Sequence, residues 1–122
     1  MGAVNIAFEA PDNTGNASAI HRRPVDLVHL AVQTMGDKAL ELEVLHLFTR
    51  QARATLQDIA VLDRAGVTAS AHRLKSAANG VGAFMVAAAA EKLEANPADA
   101  GHRAAIGAAV LEAENFILKL TR

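Results

Sequence analysis

The pattern of apolar and polar positions changes near residue 23. From Pro24 onward, apolar residues recur at steps of three and four, which is the period of an amphipathic helix, and no segment alternates like a strand. Before that point, the run EAPDNTGNAS collects residues that favour turns and irregular chain. The pattern therefore predicts a flexible N-terminal tail over residues 1–22 and a helical domain over residues 23–122.

Glycine and aspartate residues divide the helical region into five predicted helices. Gly36 ends the first helix, and Asp37 is placed to cap the second. Gly66 is expected to end the second helix and Thr68 to cap the third. Gly80 and Gly82 then break the third helix and let the chain reverse tightly. The remaining expected limits are Phe84 and Asn96–Pro97 for the fourth helix and Asp99 for the start of the fifth.

Each predicted helix carries an apolar stripe that can be buried against its neighbours. The stripe of the first helix is Leu27, Val28, Ala31 and Met35. The stripe of the second is Leu40, Val44, Leu45, Phe48, Ala52, Leu56, Ile59 and Leu62. The stripe of the last is Ile106, Ala109, Val110, Ala113, Ile117 and Leu120. Short connections imply antiparallel neighbours, so we expect an all-α fold whose core is an up-and-down antiparallel four-helix bundle, with an additional N-terminal helix.

The composition excludes several classes of function. The chain of 122 residues has a net charge of −1 and only 3% aromatic residues, which does not fit a nucleic-acid-binding surface. It contains no cysteine, so disulfides and thiolate chemistry are excluded. No signal peptide and no apolar run long enough to span a membrane is visible. We therefore expect a soluble cytoplasmic protein that binds neither nucleic acid nor membrane.

The segment AHRLKSAANGVGA, residues 71–83, carries the candidate chemistry. His72 and Lys75 lie one helical turn apart, and Ser76 and Asn79 share their face of the third predicted helix. Imidazole is a nucleophile near neutral pH and can form covalent intermediates. A phosphoryl group on its outer nitrogen would be negatively charged, and a lysine one turn away could neutralise part of that charge. The small residues around the histidine leave room for the active site of another macromolecule.

Glu94 is a candidate partner of the histidine. His72 lies ten residues before Gly82 and Glu94 lies twelve after it, so the two come level in an antiparallel helical hairpin. A carboxylate there could accept a hydrogen bond from Nδ1 of the ring. That contact would fix the tautomer and leave Nε2 as the nucleophile.

The segment HRLKSAANGVGA resembles the signature of histidine-containing phosphotransfer (HPt) domains: His-x-Leu-Lys, small residues, then a hydrophobic-Gly-Ala turn. The segments VDLVHLAVQTMGDKALELEVLHLF and EKLE are similar to the opening helices of that family and to the helix beside its histidine, so the resemblance covers about residues 25–94. It implies a four-helix bundle that relays phosphoryl groups between aspartates of receiver domains.

By position, the resemblance makes His72 the phosphorylated residue, at Nε2, and Lys75 its charge partner. Glu94 falls where the family often has Gln or Glu beside the ring. Ser76 departs from the glycine that most often follows the lysine, which bears on the choice of partner more than on activity. The partner contacts implied on this face are Thr68, Ala69, Ser76 and Asn79.

The same resemblance implies a phosphoryl carrier. No Walker-type or Gly-rich kinase loop is present, so autophosphorylation from ATP is not expected, and no cofactor or metal is called for. The implied partners are the receiver domains of response regulators and a hybrid sensor histidine kinase. His29 and His46 lack carboxylates or thiolates at metal-ligand spacing.

Three other interpretations compete with this one. A His-x-x-Lys pair is common on solvated helix surfaces, although here the small residues and the glycine turn favour a site. A helical adaptor that binds and sequesters receiver domains without transferring phosphate would typically have lost the histidine or the lysine. A homodimerising bundle that docks kinase domains usually precedes an ATP-binding domain, and the chain ends too soon for one. We therefore expect a monomer.

Overall fold

Five helices follow one another in residues 23–122, which are the part of the chain that the computed structural model describes. They are α1 (Leu27–Gln33), α2 (Lys38–Val61), α3 (Arg64–Val81), α4 (Phe84–Ala95) and α5 (Ala100–Thr121). These described residues contain no strand, which confirms the all-helical class. The predicted tail, residues 1–22, lies outside the described residues.

An aspartate caps the N-terminus of four of these helices. The carboxylates of Asp26, Asp37, Asp63 and Asp99 accept hydrogen bonds from backbone amides in the first turns of α1, α2, α3 and α5. These amides have no carbonyl partner within their own helix, so a side-chain acceptor at this position stabilises each start. The predicted cap at Asp37 and the predicted start of the fifth helix at Asp99 are confirmed.

The junction between α2 and α3 differs from the prediction. The cap of α3 is Asp63, whose Oδ1 accepts a hydrogen bond of 2.8 Å from the amide of Gly66, so Thr68 lies inside the helix. Gly66 lies in the first turn of α3 and does not end α2. A Cβ atom on Gly66 would lie 2.8 Å from Cβ of Leu62, so a glycine allows the two helices to meet closely.

The sequence pattern predicts the wrong buried face for α1. Val28 and Met35 are 67% and 92% exposed, whereas Leu30, which was outside the predicted stripe, is buried. A helix of seven residues contains too few turns for its apolar spacing to define one face. The stripes of α2 and α5 are buried or half-buried except near their ends, where Leu40, Leu62 and Leu120 are exposed.

The core is built from small and aliphatic side chains of all five helices. Among the described elements, α2 packs against α3, α3 against α4, α4 against α5 and α5 against α2, while α1 packs against α3. Ala78, Ala83 and Ala90 are fully buried where α3 and α4 meet, because alanine lets helix axes approach closely. The hairpin of α3 and α4 therefore holds its two helices in a defined register, and that register positions the site.

None of the described helices is both long enough and apolar enough to cross a membrane.

Candidate functional site

The chain reversal at Gly82 sets the register of the site. Gly82 ends α3 in the left-handed conformation, with φ of +87°, and the amide of Ala83 donates back to the carbonyl of Ala78 at 2.8 Å. The predicted break at Gly80 is wrong, because Gly80 lies inside α3 with helical backbone. After the turn, α4 returns along α3. His72 on α3 and Glu94 on α4 consequently lie side by side, at the level that residue counting predicted.

His72 and Glu94 are joined through the ring nitrogen nearer the backbone. His72 Nδ1 lies 2.9 Å from Glu94 Oε2. A carboxylate can only accept a hydrogen bond, so the proton of the neutral imidazole is on Nδ1 and the lone pair is on Nε2. Within the described residues, Nε2 has no hydrogen-bond partner. In that tautomer the lone pair of the ring is on Nε2, the nitrogen that Glu94 does not contact.

Lys75 contacts the same carboxylate through its other oxygen. Lys75 Nζ lies 3.0 Å from Glu94 Oε1, which makes an ion pair. The sequence pattern pairs Lys75 only with a phosphoryl group and does not predict this contact. The signal for it was present, because a residue one turn from His72 and facing α4 can reach the carboxylate with a long side chain.

Exposure divides the three side chains into one open group and two covered ones. The His72 side chain is 57% exposed, whereas the Lys75 and Glu94 side chains are 25% and 26% exposed. The residues beneath them in α3, Ala71 and Leu74, are fully buried and anchor the helix to the core. The imidazole is thus accessible from solvent while the groups that orient it are held against the protein.

The charges of the site act together on Glu94. The neighbouring Lys75 ammonium is the largest influence and lowers the pKa of Glu94, burial opposes this, and the contact with His72 lowers the pKa further. The carboxylate is therefore ionised at neutral pH and available to both partners.

The predicted partner contacts lie on α3, within about two helical turns of His72. Ala69, Ser76 and Asn79 are exposed, and Thr68 is half-buried. All four side chains are small or of moderate size, so the surface around His72 is open. A cavity of about 420 Å³ lies elsewhere, lined by Arg64 and residues 95–99, and it includes none of the three site residues. The imidazole therefore lies on an open part of the surface and outside that cavity.

The other histidines of the described residues stand apart from this site. His29 packs edge-on against the ring of Phe84, with ring centroids 5.2 Å apart. His46 is exposed on α2, and His102 is half-buried on α5. Residues 23–122 form no cluster of three or more His, Cys, Asp or Glu side chains that could hold a metal ion.

No protein-family model, curated protein sequence or solved structure matches the chain significantly. An assignment of function therefore depends on the residues of the site and on their geometry. The feature with a specific chemical meaning is an accessible imidazole with its inner nitrogen bound to a carboxylate and a lysine one turn away.

Proposed function

We propose that the chain is a histidine-containing phosphotransfer protein of a multistep phosphorelay. It carries a phosphoryl group on His72 between the receiver-domain aspartates of a hybrid sensor kinase and a response regulator. The observation that carries the proposal is the contact of 2.9 Å between His72 Nδ1 and Glu94 Oε2, beneath a ring that is 57% exposed. It presents Nε2 as a nucleophile toward a docked partner.

The proposed transfer is a displacement at phosphorus. The lone pair of His72 Nε2 attacks the phosphorus atom of an aspartyl phosphate, the bond from phosphorus to the aspartate oxygen breaks, and its electron pair remains on the aspartate. The proton on Nδ1 stays in its hydrogen bond to Glu94, and the ammonium of Lys75 supplies positive charge beside the phosphoryl group. The receiver domain supplies the aspartate and its bound metal ion. Transfer to a second receiver is the reverse reaction.

The remaining parts of the proposal follow from this role. The ring of contacts from α2 through α3 and α4 to α5 and back to α2 supports an up-and-down antiparallel four-helix bundle to which α1 is added. Thr68, Ala69, Ser76 and Asn79 form the surface that receiver domains contact. We propose a cytoplasmic monomer that needs no cofactor, and a stable dimer in gel filtration whose interface covers His72 would contradict the relay.

The direct test follows labelled phosphoryl groups from a phosphorylated receiver domain or hybrid kinase to the purified protein. Wild type and His46→Gln should become labelled, because His46 is an exposed histidine outside the site, whereas His72→Gln should not. The linkage should be labile in acid and stable in alkali. Binding of receiver domains without any transfer would contradict the relay and identify an adaptor instead.

A further inference from the structure

The carboxylate of Glu94 is shared between two side chains of α3. Oε2 lies 2.9 Å from His72 Nδ1, and Oε1 lies 3.0 Å from Lys75 Nζ. His72 and Lys75 are one turn apart, so a single carboxylate on α4 can reach both. In this arrangement the positive charge of Lys75 lies directly against the negative charge of Glu94. The cation that would stabilise a phosphoryl group is therefore already paired.

A phosphoryl group on Nε2 carries close to two negative charges on its oxygens, while the ring, which keeps its Nδ1 proton, gains one positive charge. Lys75 is then attracted by both the phosphoryl oxygens and Glu94 Oε1. A lysine ammonium on its flexible stem can move between acceptors, since it binds as a point charge without a fixed fork geometry. Glu94 can keep its hydrogen bond to Nδ1 through Oε2 while Oε1 loses the lysine.

We propose that Glu94 competes with the phosphoryl group for Lys75 and so increases the tendency of phosphorylated His72 to pass its phosphoryl group on. This inference rests on the proposed relay function. Lys75 stabilises the phosphorylated state only by the difference between its contact with the phosphoryl oxygens and its lost contact with Glu94. Glu94 is thus a positioning residue that acts through Lys75 and not directly on phosphorus.

The competition is coupled to the transfer step. When the bond from Nε2 to phosphorus breaks and the bond to an aspartate oxygen forms, the electron pair of the broken bond returns to Nε2. Lys75 can then move back to Oε1 of Glu94, and the ion pair seen in the unphosphorylated protein forms again. The energy of that ion pair therefore favours departure of the phosphoryl group in every transfer.

The equilibrium constant for phosphoryl exchange with one receiver domain tests the competition. It is measured for wild type, Glu94→Gln, Lys75→Met and the double variant, after circular dichroism shows unchanged helix content. Glutamine keeps an oxygen that can accept from Nδ1 but loses the charge that attracts Lys75. Glu94→Gln should shift the equilibrium toward phosphorylated His72 by about threefold to fivefold, as removal of a partly exposed ion pair implies. In the Lys75→Met background, Glu94→Gln should leave the equilibrium constant unchanged. If Glu94→Gln shifts the equilibrium equally in both backgrounds, or in neither, the inference is wrong.

A second measurement needs no receiver domain. Potassium phosphoramidate phosphorylates the imidazole directly, with His72→Gln as the control for the site of modification. The pKa of Glu94, followed by the carbon resonance of its carboxyl group, should rise on phosphorylation by more in wild type than in Lys75→Met, because only wild type loses a lysine contact. If the pKa of Glu94 rises equally in wild type and Lys75→Met, the inference is wrong even when receiver domains exchange phosphoryl groups with His72. If the pKa rises more in wild type but no receiver domain exchanges phosphoryl groups, the competition for Lys75 stands and the relay function is refuted.

Discussion

The amide of Asp26 donates a hydrogen bond of 2.9 Å to the carbonyl of Gly82. This contact seats the start of α1 on the turn that reverses the chain between α3 and α4. The space at the turn is tight, since a Cβ atom on Gly82 would lie 2.9 Å from the carbonyl oxygen of Asp26 and 3.3 Å from Cδ2 of His29. The same turn sets the register of His72 against Glu94, so its geometry bears on both stability and the site.

We expect Gly82→Ala to lower the free energy of unfolding by about 2 kcal/mol or more. Alanine disfavours the left-handed conformation of Gly82, and its methyl group would press on a backbone oxygen that cannot move without shifting α1. Urea unfolding of the purified variants measures the change. Gly80→Ala is the matched control. Gly80 is helical and has nothing within 4 Å of an added Cβ. The free energy of unfolding of Gly80→Ala should therefore be higher than that of wild type by about 0.5–1 kcal/mol. Equal effects of the two variants would contradict the argument.

The ion pair of Glu94 should make stability depend on pH in the acid range. Folding lowers the pKa of Glu94 from its ordinary value of 4.5, so the unfolded chain binds the proton more readily. The ionised Glu94 therefore stabilises the fold fully when the pH is above its pKa in the unfolded chain. This stabilisation is lost as the pH falls through the lower pKa of Glu94 in the folded protein. The difference in unfolding free energy between wild type and Glu94→Gln should be constant well above pH 4.5 and should shrink as the pH falls below 4.5. Glu91→Gln, at an exposed position of α4, should show no such change, and a difference that grows toward low pH would refute the prediction.

The hydrogen bond to Glu94 should also be visible in the tautomer of His72. In wild type, the nitrogen resonances of the neutral ring should report a proton on Nδ1, because the carboxylate accepts there. Glu94→Ala removes the acceptor, so the neutral ring should shift toward the tautomer with its proton on Nε2. Long-range proton–nitrogen correlation spectra measure both forms. The resonances of His46, on another helix, should not change between the two proteins, and an unchanged His72 spectrum would show that Glu94 does not select the tautomer.

The position of the candidate site could be predicted because it depends on counting along two regular helices. Residues ten before and twelve after Gly82 meet whenever the reversal is tight, and the buried alanines Ala78, Ala83 and Ala90 make it tight. The ion pair of Lys75 with Glu94 could not be counted in this way. It depends on the direction of a flexible side chain, and one carboxylate has room for two partners only in the folded hairpin.

The errors in the fold have a related cause. Gly66 was placed at the end of α2 because a glycine between two apolar runs commonly stops a helix. The structure uses it within α3, where Leu62 approaches too closely for any side chain, and sequence spacing does not reveal such an approach. The phase of α1 was wrong for the same reason: the face that α1 buries is chosen by its contact with α3 and not by its own short pattern.

Bulk beside His72 should block partners without changing the reactivity of the ring. Ser76 is exposed one turn after His72, in the surface proposed to contact receiver domains. We expect Ser76→Trp to slow phosphoryl transfer from a receiver domain by about tenfold or more, since a large side chain there collides with a docked protein. Potassium phosphoramidate, a small molecule, should phosphorylate the same variant at the wild-type rate.

Ser76→Gly, which removes the side chain, should retain transfer from the receiver domain. If Ser76→Trp slowed both reactions equally, the tryptophan would be perturbing the imidazole itself, and the assignment of Ser76 to the docking surface would be wrong.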